Sequence, residues 1–139
     1  MMPALLHPLL YTGVALWLLT DIGNRLCRAI FSLSGLKDAT AHLPAAGHSA
    51  GRWIGTLERL ILAVGILAHS WEILAAVIAL KTVARFNELN ERVFAEYFLI
   101  GSLFSIAWTM AVTALWLGYD RTLGRALYPM IARLIVVAP

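Results

Sequence analysis

Long apolar runs separated by short polar stretches dominate this chain, and three of the runs are long enough to cross a membrane as helices. The first covers about residues 3–20 and the third about 97–118. The second lies between Arg59 and Lys81, where 21 residues would rise about 31 Å as one helix, close to the hydrocarbon thickness of a bilayer. The pattern therefore predicts spanning helices over about 3–20, 58–81 and 97–118.

Two further segments are typical of helices that lie in the membrane interface. Residues 22–36 place apolar side chains on one helical face and Arg25 and Arg28 on another, which is the pattern of an amphipathic helix. The tail, about 125–138, is apolar but too short to cross comfortably, and a fourth crossing is its alternative. The predicted fold is a single all-α, polytopic transmembrane domain with three spanning helices plus interfacial amphipathic segments.

Composition points to the same class. Hydrophobic residues make up 60% of the chain and charged residues 14%, with a mean hydropathy of +0.78. A soluble domain is usually about 45–50% apolar and about 25% charged, so much of this surface is expected to face lipid. The net charge is +3, and the basic residues cluster at the ends of the apolar runs. The expected partner is therefore the lipid bilayer and not nucleic acid, and the single cysteine, Cys27, is expected to be a small apolar filler.

The distribution of lysine and arginine predicts an orientation. With three spans, the long polar loop and the C-terminal tail lie on one side, and they carry more basic residues than the other side. The positive-inside rule then places the N-terminus outside and the C-terminus in the cytoplasm. The first run lacks a basic segment before it, which favours a spanning helix over a signal peptide. The residues counted are Arg25, Arg28, Lys37, Arg52, Arg59, Arg121, Arg125 and Arg133 inside, against Lys81, Arg85 and Arg92 outside.

One face of the second run carries small and polar residues, among them His69 and Glu72 near its middle. Because small residues let helices approach and polar residues avoid lipid, we expect this stripe to face protein or a water-filled cavity. Ser105 and Thr109 belong to a matching stripe in the third run, unless they only bond the carbonyls four residues earlier. Three interpretations of Glu72 stay open: a protonated or paired structural group, a pore or proton-relay group, and a metal ligand shared with His69.

Charged residues mark both ends of the second run and the start of the third. They are candidates for contact with lipid headgroups, and the alternative is ordinary anchoring at the membrane boundary. The chain has no GxSxG, HExxH, GxGxxG or P-loop motif and no metal-ligand spacing, so no catalytic, cofactor-binding or metal-binding residue is predicted. The boundary candidates are Arg52, Glu58, Arg59, Lys81, Arg85 and Glu96.

Three short motifs resemble those of a family of small bacterial integral membrane proteins of unknown function. They are "GRWIGTLER", "KTVARF" and "AEYFLIGSLFS", which resemble the family's patterns GR-x-IG-x-LER, K-x-x-x-RF and AEY-x-IG-T-x-x-S in order, although two residues separate AEY from IG here. Ser102 stands where the family pattern tends to have threonine. The resemblance implies a protein of the bacterial inner membrane and implies no activity. The matching positions are Gly51, Arg52, Gly55, Glu58, Arg59, Lys81, Arg85, Phe86, Glu96, Tyr97, Gly101 and Ser105.

These observations lead to two hypotheses, neither of them enzymatic. Three helices enclose little space alone, so we expect a homo-oligomer or docking onto a larger membrane complex. The first hypothesis is a homo-oligomeric channel or transporter-like assembly lined by the polar stripe of the second helix. The second is a non-catalytic accessory or assembly subunit of a larger membrane complex. A weaker third is a lipid-acting enzyme that uses Glu58 and Arg59.

Overall fold

A computed structural model describes residues 2–35 and 48–135, and the regular elements within these two ranges are all helical. The predicted all-α class is therefore confirmed. Short polar turns separate most of the helices, and a π-helical segment, Leu18–Ile22, joins the first two without a break. The helices are α1 Met2–Trp17, α2 Gly23–Leu33, α3 His48–Leu67, α4 Trp71–Ala84, α5 Arg92–Thr122 and α6 Leu127–Ile135, with one 3-10 turn at Glu88–Asn90.

Two helices in the described ranges are long and apolar enough to cross a membrane. One runs through Leu5–Leu33 and contains an 18-residue stretch with a mean hydropathy of 1.4, and the other is Arg92–Thr122, which contains such a stretch with a mean hydropathy of 1.8. These contain the predicted spans at about 3–20 and 97–118, and they are compatible with a membrane protein. The predicted second span, about 58–81, is not among them.

The two long helices lie side by side and run in opposite directions. The indole Nε1 of Trp108 donates to the carbonyl of Leu18 at 2.9 Å, and that of Trp116 donates to Thr12 Oγ1 at 3.2 Å. Nearer the chain's start, His7 Nε2 lies 3.1 Å from the Tyr119 hydroxyl. Residue numbers thus fall along one helix as they rise along the other.

The predicted continuous helix over 58–81 is wrong, because the chain reverses in its middle. Helix α3 ends at Leu67, and α4 begins at Trp71 and packs back against α3. The ammonium of Lys81 reaches both carboxylate oxygens of Glu58, at 2.8 and 3.0 Å. In one straight helix these residues would be separated by about 34 Å.

Backbone geometry at the reversal explains why the helix stops there. His69 has a φ of 55°, in the left-handed region that ends helices, and Ser70 is extended. Gly65 lets the two arms approach, because a Cβ atom there would lie 2.9 Å from Leu74 Cδ1 and 3.0 Å from Ile73 Cγ2. We call the end of the bundle that carries this turn the tip end, and the opposite end the base end.

The described helices therefore form an antiparallel bundle whose four long segments alternate in direction. Its apolar core contains Leu19, Ala63 and Val112, with Trp108 packed beside them. The contact between His7 and Tyr119 places the start of α1 and the end of α5 together at the tip end. The predicted orientation puts these two ends on opposite sides of a membrane, whereas in the structure they lie at the same end of the bundle.

The two segments predicted to be interfacial are helical, but the first is not a separate helix. Helix α2 continues α1 and ends at Ser34 and Gly35, where the φ of Gly35 is 69°. Its Phe31 ring stacks on Tyr97 and covers Gly101 of α5. Residue 36 and residues 136–138 of the predicted segments lie outside the described ranges, and α6 accounts for most of the tail.

Paired cysteines test the reversal. With Cys27→Ser as background, we expect Gly65→Cys/Ile73→Cys to form an intramolecular disulfide, because a Cβ at Gly65 would lie 3.1 Å from Ile73 Cβ. The measurement is a gel-mobility or mass assay after mild oxidation in membranes. The control is Gly65→Cys/Val83→Cys, which places the second thiol near the far end of α4. Equal crosslinking of both pairs, or of neither, would contradict the hairpin.

Candidate functional site

A polar cluster inside the bundle joins α3 to the first long helix. Arg59 lies at its centre with only 2% of its surface exposed. The guanidinium donates from Nε to the carbonyl of Leu19, and from Nη2 to the carbonyl of Thr20 at 3.4 Å and to Asn24 Oδ1. Five donors in a rigid plane suit arginine to such a divergent set of acceptors. We call Asn24, Thr56, Glu58, Arg59 and Lys81 the Arg59 cluster.

The π-helical segment explains why backbone carbonyls are available to Arg59. A π turn is wider than an α turn and commonly occurs as a single turn within a longer helix. Leu19 and Thr20 lie within this segment. Gly23 follows it, and a Cβ there would lie 2.8 Å from Arg59 Nε, so the glycine leaves room for the guanidinium. The helix thus provides both the acceptors and the space.

Asn24 connects the guanidinium to α3. Its Oδ1 accepts from Arg59, while its Nδ2 donates to Thr56 Oγ1 at 3.0 Å. The Thr56 hydroxyl in turn donates to the carbonyl of Arg52 at 2.9 Å. This chain of hydrogen bonds fixes the amide orientation of Asn24 and the register between α2 and α3.

Glu58 and Lys81 form the ionic part of the cluster. Glu58 is 8% exposed and Lys81 is 26% exposed by side chain, so the pair is largely shielded from solvent. The Lys81 ammonium also lies 5.5 Å from the centroid of the Phe98 ring, in a cation–π contact with α5. Because Lys81 occupies both oxygens of Glu58, the buried Arg59 has only neutral acceptors among the described residues. The cluster therefore carries one excess positive charge.

Cys27 lies at the edge of the Arg59 cluster. Its Sγ is 3.9 Å from Arg59 Nη1, a contact in which the sulfur is a weak acceptor. The expectation of a purely apolar filler is incomplete, since the thiol faces a guanidinium.

A second polar cluster, at the tip end, was missed by the sequence reasoning. Asp120 is 1% exposed and accepts from the Tyr11 hydroxyl of α1. It also accepts the backbone N–H groups of Leu127 and Tyr128, at 2.8 Å each, and so caps the first turn of α6. The signal available in the sequence is an aspartate shortly before an amphipathic segment. We call Tyr11, Asp120 and Tyr128 the Asp120 cluster.

His69 and Glu72, which the sequence places near the middle of the second run, lie at the tip end of the bundle. His69 Nδ1 lies 3.1 Å from the Tyr128 hydroxyl, which also donates to the carbonyl of Leu67 at 3.0 Å. Glu72 is exposed, in the first turn of α4, and Ser70 Oγ donates to its Oε2 at 3.0 Å. Its own backbone N–H and the Ser70 hydroxyl lower the pKa of the Glu72 carboxyl below its ordinary value. Glu72 is therefore exposed at the tip end, whereas the interpretation as a protonated or paired structural group needs it buried between helices.

The hydroxyl candidates of α5 point into the bundle. Thr109 is fully buried, and its hydroxyl donates to the carbonyl of Ser105 at 2.8 Å. This is the bond to the carbonyl four residues earlier that the sequence analysis gave as the alternative to a polar stripe. The hydroxyls of Ser102, Ser105 and Thr113 have no partner among the described residues. The structure does not bring Ser105 and Thr109 together with His69 and Glu72.

The remaining boundary candidates lie near the base end. Arg85 pairs with Glu88 at 3.0 Å and lies over the Phe94 ring, while Glu96 pairs with Arg92 at 3.0 Å on the same helix. Arg52 is exposed in the second turn of α3. Exposed ion pairs of this kind contribute little to the stability of the fold.

Comparisons of the chain with known protein families, with curated proteins and with solved structures find no match. Within residues 2–35 and 48–135, no group of three or more histidine, cysteine, aspartate or glutamate residues could hold a metal ion. His69 and Glu72 thus find no third ligand there. What the chain does must be inferred from the two polar clusters and from the surface around them.

Removing the guanidinium should destabilise the bundle. We expect Arg59→Met to lower the free energy of unfolding by about 2–3 kcal/mol, because buried acceptors on Leu19, Thr20 and Asn24 lose their donor. Arg59→Lys should recover only part of the loss, since one ammonium cannot reach all three acceptors. The measurement is reversible unfolding of the purified protein in mixed micelles.

The control for this measurement is Arg25→Gln. Arg25 forms an exposed ion pair with Asp21 at 3.0 Å, so its loss should change stability by less than about 0.5 kcal/mol. An Arg59→Met protein as stable as Arg25→Gln would contradict the structural role of Arg59.

The Asp120 cluster makes a separate prediction. In Asp120→Asn one acceptor oxygen becomes a donor that opposes the N–H groups or the Tyr11 hydroxyl. We expect the amide hydrogens of Leu127 and Tyr128 to exchange at least about tenfold faster, equivalent to about 1.4 kcal/mol. Asp21→Asn, at an exposed carboxylate, is the control and should leave this exchange unchanged. Unaltered exchange in Asp120→Asn would show that α6 docks without the cap.

Proposed function

We propose that this chain is a non-catalytic accessory or assembly subunit of a larger membrane complex, which it joins as a preformed helical bundle. One observation supports the proposal most. The charged side chains inside the bundle, Glu58, Arg59, Lys81 and Asp120, are bonded to groups of the same bundle, and the pore candidates His69 and Glu72 lie at its tip. The exterior is apolar, with α3 exposing Trp53, Ile54, Leu57 and Ile61.

The burial of the α3 stripe weighs against the homo-oligomeric channel. A pore lined by the second run needs its small and polar residues to face a shared axis. Instead Glu58, Leu62 and Gly65 are buried within one protomer, where they meet Lys81 and the opposite arm of the hairpin. Beyond Arg52, the residues that α3 leaves exposed are large and apolar, and they suit lipid or protein contact better than conduction.

The lipid-acting enzyme is less favoured on similar grounds. Both oxygens of Glu58 are occupied by Lys81, and the guanidinium of Arg59 is directed at Leu19, Thr20 and Asn24. Neither side chain is free to reach a headgroup.

We further infer that the base end faces the cytoplasm. Because the hairpin of α3 and α4 replaces the one predicted crossing, the base end carries the ends of α2 and α4 and the starts of α3 and α5. The positive-inside rule then favours the base end, which has six basic residues in the described ranges, besides the buried Arg59, against three in or after the last turn of α5. Those at the base end are Arg25, Arg28, Arg52, Lys81, Arg85 and Arg92. Both α1 and α5 would then have their tip-end residues outside.

Two measurements on the full chain test the proposal. Extracted from its native membrane in a mild detergent, the chain should migrate with a second polypeptide at a fixed ratio. Purified and reconstituted into liposomes, it should pass no more protons or monovalent ions than protein-free liposomes. Glu72→Gln serves as the control variant in both, because an exposed residue at the tip should affect neither result.

The opposite pair of outcomes would overturn the proposal. A homo-oligomer without other subunits, together with ion flux that Glu72→Gln alters, would restore the channel hypothesis.

A further inference from the structure

The base end carries two exposed arginines that neither polar cluster uses, Arg28 on α2 and Arg52 on α3. No ion pair or hydrogen bond of either side chain is found within the described ranges, where the neighbouring Arg25 is paired with Asp21. Two unneutralised cations near the end of membrane helices call for an anionic partner.

The register between α2 and α3 places these arginines side by side. Asn24 bonds Thr56 across the two antiparallel helices. Arg28 follows Asn24 by four residues, and Arg52 precedes Thr56 by four, so both lie one turn closer to the base end on the same sides of their helices.

Gly51 lies one turn closer to the base end than Gly55, on the same side of α3. Gly55 faces α2, since a Cβ there would lie 3.4 Å from Arg59 Nη1 and 4.0 Å from Asn24 Oδ1. At Gly51 a Cβ would meet none of the described residues within 4 Å, and the glycine is exposed. We infer that the surface beside Gly51 is open between the two arginines, and we call it the Gly51 cleft.

We propose that Arg28 and Arg52, with the open cleft at Gly51 between them, bind the phosphate of an anionic phospholipid. Two guanidinium groups can each donate paired hydrogen bonds to phosphate oxygens. We choose a lipid phosphate over free phosphate because the side chains next to Arg52 are apolar and exposed. Trp53 is 65% exposed and suits the headgroup level, and the exposed Ile54 and Leu57 continue towards the tip end as a surface for an acyl chain. The proposal does not depend on the accessory role.

The probe is dioleoyl phosphatidylglycerol, mixed equally with dioleoyl phosphatidylcholine and added to the full-length protein in detergent. Native mass spectrometry counts the lipids that each chain retains. We expect wild type to keep one phosphatidylglycerol in preference to phosphatidylcholine. Arg28→Gln and Arg52→Gln should each weaken retention about fivefold, and the pair about thirtyfold, the effect of about 1 kcal/mol per basic residue near a membrane surface.

Two further variants separate a built site from general attraction by positive charge. Arg25→Gln/Arg92→Gln removes the same charge from the base end and should reduce retention less than twofold. Gly51→Leu keeps every charge but fills the cleft, and it should weaken retention about fivefold or more. Circular dichroism and gel filtration confirm that each variant is folded.

Three results would overturn the proposal. One is equal loss in Arg28→Gln/Arg52→Gln and in the control pair, which would indicate diffuse electrostatic attraction. Another is equal retention of the two lipids by wild type. The third is release of phosphatidylglycerol by millimolar inorganic phosphate, which would assign the cleft to free phosphate.

Discussion

The insertion of Arg59 into the widened turn of the first helix is the interaction on which the rest of the bundle depends. It places a charged group away from solvent, at a cost that only a full set of acceptors can offset. The acceptors come from one helix, the guanidinium from another, and Glu58 beside it holds a third through Lys81. Three helices are thus set in register by neighbouring residues of α3. The apolar core around Leu19 and Ala63 packs directly beside this point.

The two polar clusters divide the work of fixing the bundle. The Arg59 cluster sets the register of α3 and α4 against the first helix, whereas the Asp120 cluster ties the end of α5 to α1 and to α6. Tyr128 extends this second tie to the hairpin turn through Leu67. Side-chain hydrogen bonds of this kind give direction that apolar packing between helices in lipid does not.

Hydrophobic pattern was sufficient for the helical class and for the two long helices, because an apolar run of this length has few other solutions. It failed in the second run. Only His69, Ser70 and Glu72 interrupt the apolar run at the reversal, so its length alone predicted one crossing. The local signals were present: a small residue at Gly65, then Ser70 with Glu72 at the start of a new helix, which is a typical helix beginning. The opposite charges of Glu58 and Lys81 fitted the reversal as well. Two of the partners of Arg59, Leu19 and Thr20, accept through backbone carbonyls in a π turn, and no side-chain pattern encodes those.

The π segment also has a consequence for how the first helix can change. Each residue advances an α-helix by about 100°, so one extra residue in a turn rotates everything beyond it by that angle. The face of α2 that packs against α5 is therefore different from the one that would face α5 if α1 continued as a regular α-helix. A one-residue deletion within Leu18–Ile22 could restore regular winding, yet it would turn Asn24 away from Arg59 and Phe31 away from Gly101. Length in this short segment is accordingly constrained more tightly than the identity of its apolar side chains.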